Sequence, residues 1–364
     1  MNETLYRRPL PADAIAFASL EGRKVFTEAL ALGGLDGYFG LAEQFHTQSD
    51  PAFCGLGSLV VALNGLGIDP GRLWKGPWRW FAEDLLDCCV PLEKVRARGL
   101  SLDELACLAQ CNGADVDLQR ADEADFDRFR AALERAARGE EVMIASYDRA
   151  TLGQTGSGHF SPIGGFHAER ELVLILDVAR FKYPPHWVSA TNLWSAMQPV
   201  DPETGRTRGW VALRRRVHQS TLSFTMRCDD SLEALAQRLG AVTATLDASA
   251  DLASVARSLA PLAPYLEVRS AGEARHREAL TAARAALRSR DGFVEIAQAV
   301  GSERAEAVTI LMLAISERLT SSQRAWLGDG GDSRDDALLL EELVSLRAQL
   351  SALWQHAHRN CAGG

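Results

Sequence analysis

The sequence lacks the features of a secreted or membrane-bound chain. Its N-terminal residues contain no apolar run followed by small residues, and no later segment reaches the roughly 18 uninterrupted apolar residues of a membrane-spanning helix. We therefore expect neither a signal peptide nor a membrane segment, and we expect a cytoplasmic protein.

Cysteine and positive charge are also scarce. Seven Cys among 364 residues are an odd number and too few for a disulfide scaffold of this size. The 39 Lys and Arg are outnumbered by 48 Asp and Glu, and the formal net charge of -9 argues against a nucleic-acid-binding surface. Hydrophobic residues make up 47% of the chain, which is enough to fill the core of one large domain or two ordinary ones.

The composition changes near residue 225. Before it, Gly, Pro and aromatic residues mix with strand-like runs such as "LVLILDVA" and "GWVALRRRVH", which predicts an α+β domain over residues 1–225. After it, apolar residues recur three and four positions apart, which predicts a mainly helical domain over residues 226–364. The apolar faces of those helices need a partner: each other, the first domain or a second subunit in a homodimer. We interpret the second domain as stabilising or regulatory.

One Cys lies where a Pro-containing loop meets an apolar run, in "FHTQSDPAFCGLGSLVVALNGLGI", residues 45–68. The run predicts a helix with Cys54 in its first turn, where unpaired N–H groups and the helix dipole stabilise a thiolate. A Cys beside apolar residues more often packs in a core. From this stretch alone, a nucleophile and a core residue both stay open.

Residues 157–187 contain candidates for the base and the orienting carboxylate that such a nucleophile needs. Two apolar runs flank "HAERE", which predicts a hairpin that turns near Ala168. His159 lies nine residues before that point and Asp177 nine after it, so an antiparallel pair brings them close together. Gln48, six residues before Cys54, is a candidate oxyanion donor. For each of these residues taken singly, a structural position is the favoured interpretation.

The order Gln, Cys, His and Asp resembles that of papain-like cysteine peptidases. Four strings narrow the resemblance to the phytochelatin synthase family, and it extends from about Leu5 to Cys228: "TQSDPAFCGLGSLVVALN", "WKGPWRWFAEDLLDCC", "GHFSPIGGF" and "LDVARFKYPPHWV". It implies a papain-like α+β catalytic domain that attacks the Cys-Gly bond of glutathione and releases glycine. The γ-Glu-Cys acyl group then passes to the amine of another glutathione or of a growing phytochelatin.

The resemblance also implies the role of individual residues. Cys54 is the expected nucleophile, His159 the general acid and base, Asp177 the orienting carboxylate and Gln48 an oxyanion donor. Asp201 and Arg208, in "VDPETGRTRGW", are the expected site for the γ-glutamyl head, whose ammonium and carboxylate need opposite charges. A turn with surface charges is the alternative for that pair. Arg180 and Lys182 are expected to receive the carboxylates of the acceptor.

The expected substrates are glutathione and phytochelatins, with neither nucleic acid nor membrane as partner. No organic cofactor is implied, and the activator is a heavy-metal ion such as Cd²⁺ or Zn²⁺ that arrives as the metal-glutathione thiolate. No residue of the chain is assigned as a metal ligand. The alternative in the same chemistry is a peptidase that releases glycine from glutathione and its S-conjugates without efficient oligomer synthesis, because transfer depends on how well the acceptor excludes water. A metal-buffering protein would need clustered thiols, yet only Cys361 follows Cys228.

Overall fold

The computed structural model describes two compact units, each formed by several segments of the chain. The described residues are 7–44, 46–71, 73–216, 222–227, 232–244, 246, 249–270, 273–327, 339, 343, 346–347, 349–351 and 353–354. The first unit takes its described residues from 1–69, 80–86 and 92–216, and the second from 70–79, 87–91 and 217–364. The functional domains expected from the sequence, 1–225 and 226–364, stay a prediction.

The first unit is built on one antiparallel sheet. Its helices are α1 (Leu20–Ala31), α2 (Tyr38–Ala42), α3 (Cys54–Gly65), α4 (Leu92–Arg98), α5 (Leu102–Cys111), α6 (Phe126–Ala137) and α7 (Ala190–Met197), with a 3-10 helix at Glu83–Leu85. Its strands are β1 (Ile15–Ala16), β2 (Ala114–Arg120), β3 (Val142–Asp148), β4 (Gly158–His167), β5 (Leu172–Ile175), β6 (His186–Ser189), β7 (Val200–Asp201), β8 (Arg206–Thr207) and β9 (Gly209–Arg215). Seven of them form the sheet, in the order β1-β6-β5-β4-β3-β9-β2, and β7 pairs with β8.

The two faces of this sheet carry separate hydrophobic cores, because successive side chains of a strand point to opposite faces. In β5, Val173 and Ile175 join the cluster that contains Phe129 of α6, whereas Leu174 joins the cluster that contains Val61 of α3. Helices therefore cover both faces, and the predicted α+β class is confirmed.

Helix α3 is mostly apolar, and ten of its twelve residues, from Gly55 to Asn64, are buried. Such a helix belongs to the core of a domain rather than to its surface. Its first residue, Cys54, is partly exposed and packs against the cluster that contains Val61. The core thus fixes the position of a residue that stays partly exposed.

The second unit is mainly helical, as expected. It contains α8 (Leu232–Ala244), α9 (Leu252–Leu259), α10 (Glu273–Arg288), α11 (Phe293–Val300), α12 (Ser302–Ala314) and α13 (Ser321–Ala325), with 3-10 helices at Ala260–Tyr265 and Ser316–Arg318. Strands β10 (Leu222–Met226) and β11 (Leu266–Ser270) form an antiparallel pair. Side-chain caps start two of the helices: Asp251 accepts from Ser254 N at 2.8 Å, and Thr320 forms a capping box with Gln323.

Among the helices that the structure describes, none combines the length and the apolar character needed to cross a bilayer.

Candidate active site

Cys54 begins α3, as the sequence predicts. A turn leads into the helix, in which Ala52 N donates to Asp50 Oδ1 at 2.9 Å and Phe53 N donates to the Asp50 carbonyl at 3.0 Å. The residue that precedes the helix, Phe53, makes no side-chain cap. The first-turn N–H groups of α3 and its dipole therefore favour negative charge at Cys54.

His159 and Asp177 meet across the predicted hairpin. Strands β4 and β5 pair antiparallel, with His167 opposite Leu172 and a register shift between Ile163 and Gly165. His159 Nε2 lies 3.0 Å from Asp177 Oδ1. His159 is 5% exposed and Asp177 is fully buried. The predicted contact between the two side chains is confirmed.

The thiol and the imidazole shift each other toward their charged forms. Burial raises the pKa of the Cys54 thiol, but the charge of His159 and a hydrogen bond to it outweigh burial, so the net pKa is lowered. Burial likewise lowers the pKa of His159, but the charges of Asp177 and Cys54 outweigh it, so the net pKa is raised. This geometry favours a thiolate paired with an imidazolium, the reactive state of a cysteine nucleophile.

Asp177 is held as a buried carboxylate by two cations. Burial raises its pKa, yet His159 and then Arg149 outweigh that effect, and the net pKa lies well below its usual range. Arg149 Nη2 lies 2.8 Å from Asp177 Oδ2 and 3.0 Å from Oδ1. The backbone N–H of Ala179 adds a hydrogen bond of 2.9 Å to Oδ1. The carboxylate is thus fully ionised and fixed in orientation.

Sequence reasoning missed Arg149. It follows β3 in the loop "YDRATLGQTG", and nothing in that loop marks a partner for Asp177, which lies 28 residues further along the chain. Tyr147 was missed as well: its ring stands edge-on to the His159 ring at 5.7 Å, and its hydroxyl lies 3.2 Å from Ser161 Oγ. Side chains alternate between the two faces of β3, and Tyr147 pairs with His159 across β3 and β4. These are the signals that could have suggested it.

Gln48 is buried in the loop before α3. Its backbone N–H donates to the Val178 carbonyl at 3.1 Å, which ties this loop to the residue after Asp177. Its side-chain Nε2 lies 2.8 Å from the Asp50 carbonyl and 3.0 Å from the Pro51 carbonyl. In this conformation the amide hydrogens point at loop carbonyls, and a role as oxyanion donor stays a prediction.

Glu83 supports the same loop and was also missed. Its carboxylate accepts from the backbone N–H of Ser49 at 3.1 Å and from the Ser49 hydroxyl, and it lies 2.9 Å from His46 Nε2. Gly57 allows this approach, because a Cβ there would lie 3.1 Å from Glu83 Oε1 and 3.3 Å from the Gln48 Cβ. The loop that carries Gln48 thus packs directly against α3.

Part of the expected γ-glutamyl site lies next to Gly158 and His159. Arg208 is 4% exposed, and its Nη1 donates to the carbonyls of Pro199 and Val200 at 2.8 and 3.1 Å. Its Nη2 lies 3.3 Å from the position of a Cβ on Gly158, the residue before His159. Asp201 follows Val200 in β7, and its Oδ1 accepts from Glu203 N at 3.1 Å. Binding of the γ-glutamyl head stays a prediction.

Arg180 and Lys182 lie in the loop after Asp177. Lys182 Nζ donates to the Thr155 carbonyl at 2.6 Å. Arg180 lines a cavity together with Tyr38 and His46, and burial lowers its pKa while Tyr38 and Asp177 act in the opposite direction. The two cations therefore share the loop that follows Asp177, and their role toward an acceptor stays a prediction.

Known proteins resemble this chain over the region that contains Cys54, His159 and Asp177. A family model described as phytochelatin synthase matches residues 5–210. Glutathione gamma-glutamylcysteinyltransferase 1 of Triticum aestivum is 55% identical over 227 residues, which are 62% of this chain and 45% of the relative. The enzyme named glutathione gamma-glutamylcysteinyltransferase 2 in Arabidopsis thaliana is 52% identical over 228 residues, 62% of this chain and 50% of the relative.

The likeness extends to a fungus. The glutathione gamma-glutamylcysteinyltransferase of Schizosaccharomyces pombe is 46% identical over 214 residues, 58% of this chain and 52% of the relative. The chain spans about half the length of the curated relatives it matches. Because the family model covers more than half of the 364 residues, the chain belongs to the phytochelatin synthase family.

Proposed function

We propose that this chain is a glutathione γ-glutamylcysteinyltransferase that makes phytochelatins through an acyl-enzyme on Cys54. The observation that carries the proposal is the arrangement of Cys54 at a helix start with the buried pair His159 and Asp177, 3.0 Å apart. The opposite pKa shifts of the thiol and the imidazole support nucleophilic catalysis. The names of the relatives support glutathione as the substrate.

In the first half-reaction, the Cys54 thiolate attacks the carbonyl carbon of the Cys-Gly peptide bond. The resulting tetrahedral oxyanion meets the N–H groups at the start of α3. His159 then gives its proton to the glycine nitrogen, the C–N bond breaks and glycine leaves. A γ-Glu-Cys thioester remains on Cys54, and Asp177 keeps the imidazole oriented throughout.

In the second half-reaction, the amine of an acceptor glutathione or phytochelatin attacks the thioester carbon. His159, now neutral, takes a proton from that amine, and the Cys54 thiolate leaves as the new peptide bond forms. Each turnover thus lengthens the acceptor by one γ-Glu-Cys unit and restores the imidazolium–thiolate pair. Water in place of the amine would instead release γ-Glu-Cys.

Charged side chains near the catalytic residues would recognise the substrate. Arg208 is nearly buried next to Gly158, which suits a carboxylate of the donor, and Asp201 supplies an anion for its ammonium. Arg180 and Lys182 would hold the carboxylates of the acceptor. The heavy-metal ion enters as part of the substrate, because thiolates of two glutathiones around one soft cation form a neutralised acceptor.

Product analysis tests this function. We expect the protein, incubated with glutathione and Cd²⁺, to release glycine and to form γ-Glu-Cys oligomers. Cys54→Ser should abolish both products while it stays folded, and Cys111→Ser, which changes another buried thiol, at the end of α5, should retain them. Glycine without oligomers would overturn the transferase assignment, and no glycine at all would overturn glutathione as the substrate.

A further inference from the structure

A buried chain of hydrogen bonds continues behind Asp177 on the side that Arg149 occupies. Arg149 Nη1 donates to Gln154 Oε1, and Gln154 Nε2 lies 2.9 Å from His186 Nε2. His186 Nδ1 lies 2.9 Å from the carbonyl oxygen of Pro184. Arg149, Gln154 and His186 are 3%, 5% and 0% exposed, so bulk water competes little for these bonds.

The chemistry of the end groups determines the direction of each bond. A guanidinium only donates, so the Gln154 amide presents its oxygen to Arg149 and its NH₂ group to His186. A carbonyl only accepts, so His186 carries its proton on Nδ1 and accepts from Gln154 through Nε2. Burial lowers the pKa of His186, with Arg149 acting in the same direction and Asp177 against it, and the net effect keeps this imidazole neutral.

Arg149 is therefore restrained at several points. One nitrogen is held by Gln154, the other by Asp177, and the ring of Tyr183 lies 5.1 Å from the guanidinium carbon. Without an acceptor at His186 Nε2, the Gln154 amide would lose the bond that keeps its oxygen toward Arg149. The guanidinium could then turn away from the carboxylate.

We propose that Gln154 and His186 are positioning residues that hold Arg149 against Asp177 and thereby maintain the reactivity of Cys54. The inference rests on the proposed role of Cys54 as the nucleophile. It extends the catalytic arrangement by two residues whose hydrogen bonds go to Arg149, to each other and to the Pro184 carbonyl.

Loss of this support has a measurable electrostatic consequence. Burial lowers the pKa of Arg149, while Tyr147, Asp177 and Cys54 outweigh burial and raise it. The charge of Arg149 in turn lowers the pKa of His159, His186 and Lys182. Burial raises the pKa of Cys54, and Arg149 is one of the groups that lower it. Movement of Arg149 away from the site should therefore raise the pKa of the thiol and displace its ionisation to higher pH.

Alkylation of Cys54 by iodoacetamide measures that ionisation without any substrate. The thiolate attacks the methylene carbon and iodide leaves, and peptide mass spectrometry identifies Cys54 as the modified residue. The variants are His186→Asn, whose side chain ends near the Nδ1 position, His186→Gln, which can reach the Nε2 position with an oxygen, and Gln154→Ala. The matched control is His167→Asn, since His167 is also a buried histidine of the sheet, 2% exposed, with Glu28 at 3.4 Å.

We expect His186→Asn and Gln154→Ala to displace the alkylation profile to higher pH. On its acid limb, the rate should fall about tenfold for every pH unit by which the profile moves. His186→Gln and His167→Asn should keep the wild-type profile. Unchanged profiles in His186→Asn and Gln154→Ala would overturn the proposal, as would an equal displacement in His167→Asn. Thermal unfolding shows which variants fold, and Gln154→Ala, in a loop, provides the test if His186→Asn does not.

Glycine release from glutathione, measured on the same samples, separates this inference from the proposed function. A displaced alkylation profile with no glycine from the wild type would support the positioning role and overturn the function. Normal glycine release by the wild type with unchanged profiles in the variants would overturn the positioning role alone.

Discussion

Arg149 and Asp177 form a buried ion pair in which one guanidinium nitrogen reaches both carboxylate oxygens, at 2.8 and 3.0 Å. The carboxylate also holds His159, so one anion is shared by two cations. A single carboxylate thus orients His159 and supplies the negative charge that favours its imidazolium form. Loss of either cation would leave Asp177 undercompensated in a site from which water is excluded.

Arg149→Met should strongly destabilise the protein. Removal of one partner from a buried ion pair costs about 3 kcal/mol or more, because the remaining charge is left uncompensated. Arg130→Met is the matched control: Arg130 pairs with Glu134 and Glu171 but is 37% exposed, so its loss should cost under about 1 kcal/mol. Urea unfolding measures both. Equal losses would contradict the importance of the buried pair.

Gly57→Ala should impair catalysis although Ala is the better helix former. A methyl group at position 57 would lie 3.1 Å from Glu83 Oε1 and 3.3 Å from the Gln48 Cβ, so the loop must move. Such overpacking costs roughly 1–3 kcal/mol, against about 1 kcal/mol gained in helix propensity. We expect slower glycine release.

Gly40→Ala is the control for that substitution, because Gly40 is a half-buried residue of α2 and the nearest neighbour of an added methyl group would be the Gly65 carbonyl at 3.4 Å, an ordinary contact distance. It should leave the rate of glycine release unchanged. A Gly57→Ala enzyme with the wild-type rate would show that the seating of the Gln48 loop on α3 is not needed.

The stability that Asp177 contributes should depend on pH in a defined window. Burial raises its pKa, but His159 and Arg149 depress it well below the unfolded value of about 3.9. The contribution is therefore complete above about pH 4 and is lost as the pH falls through the folded pKa. The pKa of His159 is raised in the folded state despite burial. His159 therefore contributes stability below its unfolded pKa of about 6.5, and this stability is lost as the pH rises through the folded pKa.

Asp177→Asn removes the Asp177 contribution and the part of the His159 contribution that depends on the Asp177 charge, while it keeps the shape of the side chain. The difference in unfolding free energy between wild type and variant should be largest between about pH 4 and pH 6.5 and should decrease on both sides. Denaturant unfolding at a series of pH values gives this curve. A difference that does not vary with pH would contradict the ionised pair.

S-Methylglutathione should be consumed without added metal. Its sulfur is already blocked, so it presents the neutralised acceptor that a metal thiolate otherwise provides. Glycine release with this compound, measured with and without a chelator, checks the prediction. The prediction is wrong if S-methylglutathione is inert while metal-glutathione reacts. Together with stoichiometric metal binding by the protein, that result would indicate an essential ion held by the chain.

The residues predictable from sequence were those with a local signal. Cys54 stands at the junction of a turn and an apolar run, and His159 and Asp177 lie at equal distances from one hairpin turn, so short-range patterns placed all three. The α+β sheet followed from its apolar runs. The register shift between Ile163 and Gly165 was not foreseen, since a bulge depends on how the neighbouring strands pack.

The supporting residues had no such signal. Arg149 meets Asp177 across 28 positions, Gln154 meets His186 across 32, and Ser49 meets Glu83 across 34. Each is an ordinary polar residue in its own stretch, and only tertiary folding brings the partners together. A single sequence cannot distinguish these pairs from solvated side chains.

The most direct test of the proposed chemistry is mass spectrometry of the protein mixed with glutathione and quenched in acid. We predict a γ-Glu-Cys adduct on the peptide that contains Cys54, together with released glycine, because the thioester is the intermediate of both half-reactions. His159→Ala should suppress the adduct, since no group then protonates the leaving glycine. An adduct on another Cys, or glycine release with an unmodified Cys54 under conditions that trap thioesters, would contradict the acyl-enzyme on Cys54.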